Sequence, residues 1–245
     1  MIENRTQAHQ KGLITVATGE YNEFIPSLIT SAKKKFGCHV YVFTDQPKDY
    51  EHFRDITVIE IEHYGWPKMP LLRFELLYKH KELFRENYLF LIDSEAKFIR
   101  EVNQSVLGYR VGTLHRNITR HRDEFNYETR KESTAFVDKK EGEKYYACGF
   151  VGGHKKEFNR MCKIISANIR TDISNNIRSR WGDESHLNRY FIDNRPTVVL
   201  PPNYMCPATN HNFVPFIIHR DKTFKRVNIE DTDRYLNIDK KDYER

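Results

Sequence analysis

The sequence contains no run of about 18 apolar residues, and Met1 to Lys11 is polar. A transmembrane helix and a secretory leader are therefore not expected, and the reading is a cytoplasmic protein, with peripheral membrane association as the alternative. Cysteine is scarce. Cys38, Cys148, Cys162 and Cys206 stand far apart with no C-x-x-C pair, which excludes the usual spacing of zinc and thioredoxin-like sites and leaves four reduced thiols, some of them packing. No G-x-G-x-x-G opens the first strand-helix unit, where Gly19 stands alone, so a nicotinamide enzyme is disfavoured. A G-x-S-x-G elbow is missing as well, and no histidine pair at H-x-x-x-H spacing falls on a convincing helix. The positive charge is not gathered into a stripe interleaved with aromatics, which argues against nucleic acid as a partner.

What is present fits one large globular domain of 245 residues. A 39% hydrophobic content with 13% aromatics predicts a Phe- and Tyr-rich core, and the net charge of +6 favours anionic ligands, a nucleotide diphosphate among them. The runs GLITVAT (Gly12 to Thr18), HVYVFT (His39 to Thr44), ITVIEI (Ile56 to Ile61) and YLFLI (Tyr88 to Ile92) read as strands. Helices are predicted over Asn22 to Phe36 and Leu71 to Arg85 from their apolar spacing. Alternation of this kind with strands apolar on both faces implies an α/β fold with a mainly parallel sheet. Further on, strands are predicted at Arg110 to Leu114 and Tyr145 to Val151, and helices at Lys155 to Ile169 and Asp183 to Phe191. Between them, Asn117 to Lys144 is polar enough to be a loop or lid, and 222–245 reads as a mobile basic tail.

Three constellations could carry chemistry. Asp93-Ser94-Glu95 directly follows YLFLI, at the carboxyl end of a strand, where ligands of open parallel sheets bind. Carboxylates at i and i+2 of an extended segment share a face and can hold one hard cation; a plain polar loop is the alternative. In Trp181-Gly182-Asp183-Glu184, a cap at Asp183 would place Glu184 on one helical face with Leu187 and Phe191. An inward carboxylate beside an aromatic suits a sugar's anomeric carbon and apolar face, whereas a mere cap and a core tryptophan are the bland readings. Tyr145 to Gly153 gathers small residues after two tyrosines, which admits close approach of a ligand or simply bends a strand.

In this order the segments resemble glycosyltransferase family 6, the family of the blood-group A and B transferases and the α-1,3-galactosyltransferases. The specific blocks are Gly112-Thr113-Leu114-His115, Tyr127-Glu128 with Arg130, Tyr145 to Gly153, and Asp183 to Asn188. The resemblance implies a GT-A fold in a single domain, 1–245, with a UDP-binding half at about 12–95, an acceptor and donor-sugar half at about 96–221, and the tail. It implies a retaining transfer of α-GalNAc or α-Gal from a UDP donor to O3 of a terminal, optionally fucosylated, galactose of a glycan acceptor. A catalytically lapsed sugar-binding protein is the alternative. Glu184 matches the catalytic carboxylate. Ala17, Thr18, Tyr21, Arg73, Asp93, Ser94, Glu95, Ala147, Gly149 and Asp183 match donor contacts, with Lys222 and Lys225 closing over the diphosphate. His115, Trp181 and Tyr127 match acceptor contacts. Asp93 and Glu95 stand where relatives carry Asp-x-Asp or Asn-x-Asn, which implies Mn²⁺, with a metal-independent mode as the alternative. Gly182 departs from the histidine that relatives commonly carry before Asp-Glu.

Overall fold

The structure, a computed structural model, describes residues 10–116, 121–209 and 214–220. Strands β1 (Lys11–Ala17), β2 (His39–Thr44), β3 (Ile56–Glu60), β4 (Tyr88–Ile92), β6 (Arg110–Leu114), β7 (Tyr146–His154) and β8 (Val198–Leu200) form one sheet in the order β3-β2-β1-β4-β7-β6-β8. Its pairs are parallel except those of β7, which runs antiparallel to both β4 and β6. A small second sheet joins β5 (Ala96–Phe98), β10 (Ile217–His219) and β9 (Cys206–Pro207). The helices are α1 (Ile25–Lys35), α2 (Lys68–Lys79), α3 (Lys155–Ser174) and α4 (Asp183–Asp193). This mixed α/β arrangement, with a large and mostly parallel central sheet flanked by helices, agrees with a GT-A-like fold.

Both faces of the sheet are covered, which is why its strands lack polar alternation. Within β4, Leu89 and Leu91 enter a core with residues of α2, α3 and α4, while Phe90 and Ile92 enter a second core with residues of α1. Each buried side chain of this kind contributes roughly 1.5–3 kcal/mol of transfer free energy. The four cysteines are free and buried. Among the described residues no helix is long and apolar enough to cross a membrane.

Element ends moved where side chains found tertiary partners. A 3-10 turn (Gly19–Phe24) precedes α1, so the helix starts at Ile25, with proline in its first turn, and not at Asn22. Asn22 is engaged instead: its amide donates to Asp45 at 2.8 Å and its carbonyl accepts from Thr44 at 2.6 Å. Helix α2 begins three residues before the expected Leu71 and stops at Lys79, followed by a 3-10 turn (Lys81–Leu83). Helix α3 continues past Ile169 to Ser174, and β7 past Val151 to His154.

The polar stretch is no detached lid over its described part, 121–144. Tyr127, Ala135 and Val137 are buried, and Asp172 of α3 accepts from Ser133 Oγ at 2.5 Å and Thr134 N at 2.7 Å. The tail with Lys222 and Lys225 lies outside the described residues.

Candidate active site

The site begins where β4 ends. β4 pairs with β7 only as far as Ile92 opposite Phe150, so among the described residues the edge of β7 from Tyr146 to Cys148 faces no strand on that side. Helix α4 takes the vacant place. Asn188 Oδ1 accepts from Tyr146 N and Asn188 Nδ2 donates to Tyr146 O, both at 2.8 Å. Glu184 Oε2 accepts from Cys148 N at 3.2 Å. The spacing works because four helical residues rise about 6 Å and two strand residues about 6.8 Å, so side chains at i and i+4 of a helix can serve alternate residues of a strand. Glu184 thus acts as a strand's hydrogen-bond partner. Its other oxygen accepts from Tyr145 Oη at 2.9 Å.

Helix α4 enters through Gly182, whose φ of 56° is a conformation that suits glycine. Asp183 is the first helical residue and not a cap. Its carboxylate is paired with Arg73 Nε, and Arg73 Nη1 donates to Asp93 Oδ1 at 2.8 Å. One buried guanidinium from α2 therefore ties the end of β4 to the start of α4. Although burial works against its charge, Asp183, Cys148 and Asp93 hold Arg73 well above its ordinary pKa. Burial raises the pKa of Asp183, opposed by Arg73. The Glu184 carboxyl is pushed up to about 7, chiefly by burial, with further repulsion from Asp183 and Asp93; the bonds from Tyr145 and Cys148 oppose the rise.

A cavity of about 520 Å³ opens over this cluster, a volume in the range of small-molecule sites. Of the expected donor contacts, Thr18, Tyr21, Arg73, Asp93, Ser94, Glu95, Gly149 and Asp183 line it, and so do Glu184 and Trp181. Trp181 is 53% exposed, which removes the reading of a core aromatic. Ala17 and Ala147 are buried and do not line it; Val16 and Cys148 do. A second cavity of about 600 Å³ shares Asp93, Glu95 and Met205 with the first and holds His115, His219 and Arg220. Two of the three expected acceptor contacts, Trp181 and His115, thus line different cavities that share the acidic pair. Tyr127 reaches neither cavity. It is 1% exposed, its hydroxyl donates to Lys144 O at 2.7 Å, and it packs on Tyr145.

The acidic pair fits a divalent cation. Asp93 Oδ1 is spent on Arg73, while Oδ2 faces His219 Nδ1 at 3.8 Å, and Glu95 Oε1 lies 3.9 Å from the same nitrogen. Glu95 is 3% exposed. Gly149 adjoins them: a Cβ there would come within 2.7 Å of Asp93 Oδ2 and 2.8 Å of His219 Cε1.

Sequence reasoning missed His63, Trp66 and Met205 in the first cavity and His219 in the second. For His219 the only local signal was its position at the end of a short β-branched run. Glu128, singled out only as part of a block, proves to be a buried strut. It accepts from Arg130 N and Nε and, at 2.6 Å, from Arg180 N, next to Trp181.

A family model described as "Glycosyltransferase family 6" matches residues 3–221. The chain is 36% identical over 211 residues to the human "Globoside alpha-1,3-N-acetylgalactosaminyltransferase 1", covering 79% of this chain and 60% of that protein. It is 34% identical over 208 residues to the rat "Histo-blood group ABO system transferase 1", with the same coverage of 79% and 60%. To the "O-antigen biosynthesis glycosyltransferase WbnI" of Escherichia coli it is 30% identical over 217 residues, 84% of this chain and 92% of that one. The chain thus spans about 60% of the length of the two mammalian relatives.

Proposed function

Because this chain belongs to glycosyltransferase family 6, we propose that it moves an α-linked GalNAc, or failing that Gal, from a UDP donor to O3 of a terminal galactose, fucosylated or not, with retention at the anomeric carbon. The observation that carries this reading is the bridge from Asp93 through Arg73 to Asp183, set in one cavity with Glu184.

In the reaction, the bond between the sugar's C1 and the diphosphate oxygen breaks, and the acceptor O3 bonds to C1 on the same face. The acceptor's hydroxyl proton passes to the departing phosphate. Glu184 faces the positive charge that grows on C1, either bonding it transiently or stabilising it. Both roles require the carboxylate form.

Asp93 and Glu95 are the residues that would hold Mn²⁺, which would neutralise charge on the diphosphate. Arg73 keeps Asp93 oriented toward that position and Asp183 toward the donor sugar. Trp181 offers its exposed ring to an apolar sugar face. The tail residues Lys222 and Lys225, outside the described residues, would close over the diphosphate.

The test incubates the protein with UDP-GalNAc, UDP-Gal or UDP-Glc against lactose and 2′-fucosyllactose, with Mn²⁺ or EDTA. Expected is transfer from UDP-GalNAc or UDP-Gal to O3 with Mn²⁺ present. Absence of both transfer and donor hydrolysis in every combination would overturn the reading, and UDP binding without turnover would favour the lapsed protein.

A further inference from the structure

We propose that His219 is a third metal ligand, completing with Asp93 and Glu95 a mixed oxygen and nitrogen site for a divalent transition-metal ion. The inference rests on the proposed diphosphate-sugar transfer only for its purpose; its geometry stands apart from that reading.

Strand pairing brings the three residues together. β10 lies antiparallel to β5 with His219 opposite Ala96, so the histidine ends beside Glu95 at the close of a connection that returns from far down the chain. Arg220 secures this junction: its backbone N donates to Glu95 O at 3.2 Å and its Nε to the same oxygen at 3.1 Å. One carboxylate oxygen each of Asp93 and Glu95 and one ring nitrogen of His219 lie within 4.8 Å of one another.

The separations fit an ion better than they fit hydrogen bonding. His219 Nδ1 is 3.8 Å from Asp93 Oδ2 and 3.9 Å from Glu95 Oε1, beyond hydrogen-bond range. Two metal–ligand bonds of about 2.1 Å span up to about 4.2 Å, so one cation can touch the imidazole and either carboxylate. The ring is only 11% exposed, and its Nε2 is buried with no hydrogen-bond partner among the described residues. A histidine that packs structurally normally has its buried nitrogens satisfied; among the described residues this one makes no direct hydrogen bond at either. Gly149 keeps the space open, since a Cβ would press on both Asp93 Oδ2 and the imidazole.

An imidazole donor also carries a preference. Oxygen-only sites suit Mg²⁺ and Ca²⁺, whereas a nitrogen ligand moves the preference toward later divalent ions. Co²⁺ and Zn²⁺ should therefore bind more tightly than Mg²⁺, and His219→Asp should lose that preference.

The experiment measures Mn²⁺ binding by electron paramagnetic resonance, with UDP present, in the wild-type protein and in His219→Ala and His219→Gln. UDP affinity and Tm are measured in EDTA beside it. Expected is a weakening of Mn²⁺ binding by at least about 10-fold, the lower end of what even an outer-sphere partner costs when lost, with UDP affinity and Tm in EDTA unchanged. Wild-type protein alone supplies an independent readout: an electron spin echo of bound Mn²⁺ should show ¹⁴N coupling from a coordinated imidazole, whatever becomes of the variants. Equal Mn²⁺ affinity in wild type and variants, no Mn²⁺ binding by wild type, or an echo without imidazole coupling overturns the proposal. His219-dependent Mn²⁺ binding in a protein that shows no sugar transfer would uphold this site and sink the transferase reading alone.

Discussion

Replacing Tyr145 by Phe isolates the force that keeps Glu184 ionised. The ring stays, so its packing against Tyr127 and Phe125 is retained; the 2.9 Å bond to Glu184 Oε1 is lost, together with a long 3.5 Å one to Asn126 O. A hydrogen bond to a charged acceptor contributes about 1.5–3 kcal/mol, which at 1.36 kcal/mol per unit corresponds to a rise of about 1–2 units in the carboxyl pKa. Starting from about 7 in the intact protein, the group would then titrate near 8–9. Cys148 N still donates to the other oxygen, so the carboxylate remains attainable at high pH. If Glu184 must be ionised, kcat/KM rises through its pKa in the free enzyme. At pH 6.5 roughly a quarter of the wild-type protein but only ~0.3–3% of the variant would be competent, a loss on the order of 10- to 100-fold. At pH 9.5 and above the two should converge. The assay is kcat/KM for sugar transfer from pH 5.5 to 10 at saturating Mn²⁺. Superimposable profiles, or a deficit constant across the whole range, would refute the assignment of Tyr145 as the group that tunes Glu184.

Glu184→Gln should lower kcat by orders of magnitude while leaving donor affinity nearly intact; full activity would remove Glu184 from the mechanism. The same substitution should stabilise the fold at pH 8 more than at pH 5. A carboxyl whose folded pKa is raised from 4.5 to about 7 favours folding below 4.5 and loses that contribution as pH rises through 7, so removing its charge relieves roughly 2–4 kcal/mol at pH 8. Melting curves at the two pH values check the sign. Arg73→Lys cannot bridge Asp93 and Asp183 with one fork and should reduce kcat/KM by roughly 10- to 100-fold, read in the transfer assay. Gly149→Ala would place a Cβ 2.3 Å from Met205 Cε and 2.7 Å from Asp93 Oδ2, and should weaken Mn²⁺ and raise donor KM together; an unchanged KM for both donors would show that the neighbours yield. Glu128→Gln replaces the carboxylate that holds Arg130 and Arg180 N, with an expected cost of about 1.5–3 kcal/mol in urea unfolding and a raised acceptor KM through Trp181.

Much of the architecture could be read along the chain because it is encoded over short distances. β2, β4 and β6 appear at their expected bounds; for β2 and β4 an almost wholly apolar run rich in aromatic and β-branched residues leaves few other choices. Glu184 was legible as a carboxylate on the apolar face of a short helix for the same reason, and Leu187 and Phe191 are indeed buried beside it. The family blocks then supplied a role for that carboxylate which periodicity could not.

Other features depend on side chains meeting across the fold. Arg73 faces Asp93 across 20 residues of chain and Tyr145 meets Glu184 across 39, and no local pattern specifies such encounters; they follow from sheet order and from where β4 stops. The orientation of Ala17 and Ala147 away from the cavity, and the burial of Tyr127, likewise follow from which face of a strand or loop the packed core claims. His219 is the extreme case. Only the pairing of β10 with β5, seen also in the bond of Arg220 to Glu95 across 125 residues, sets that imidazole beside the acidic pair, because a histidine ending a three-residue strand carries no sign of what the sheet will place next to it.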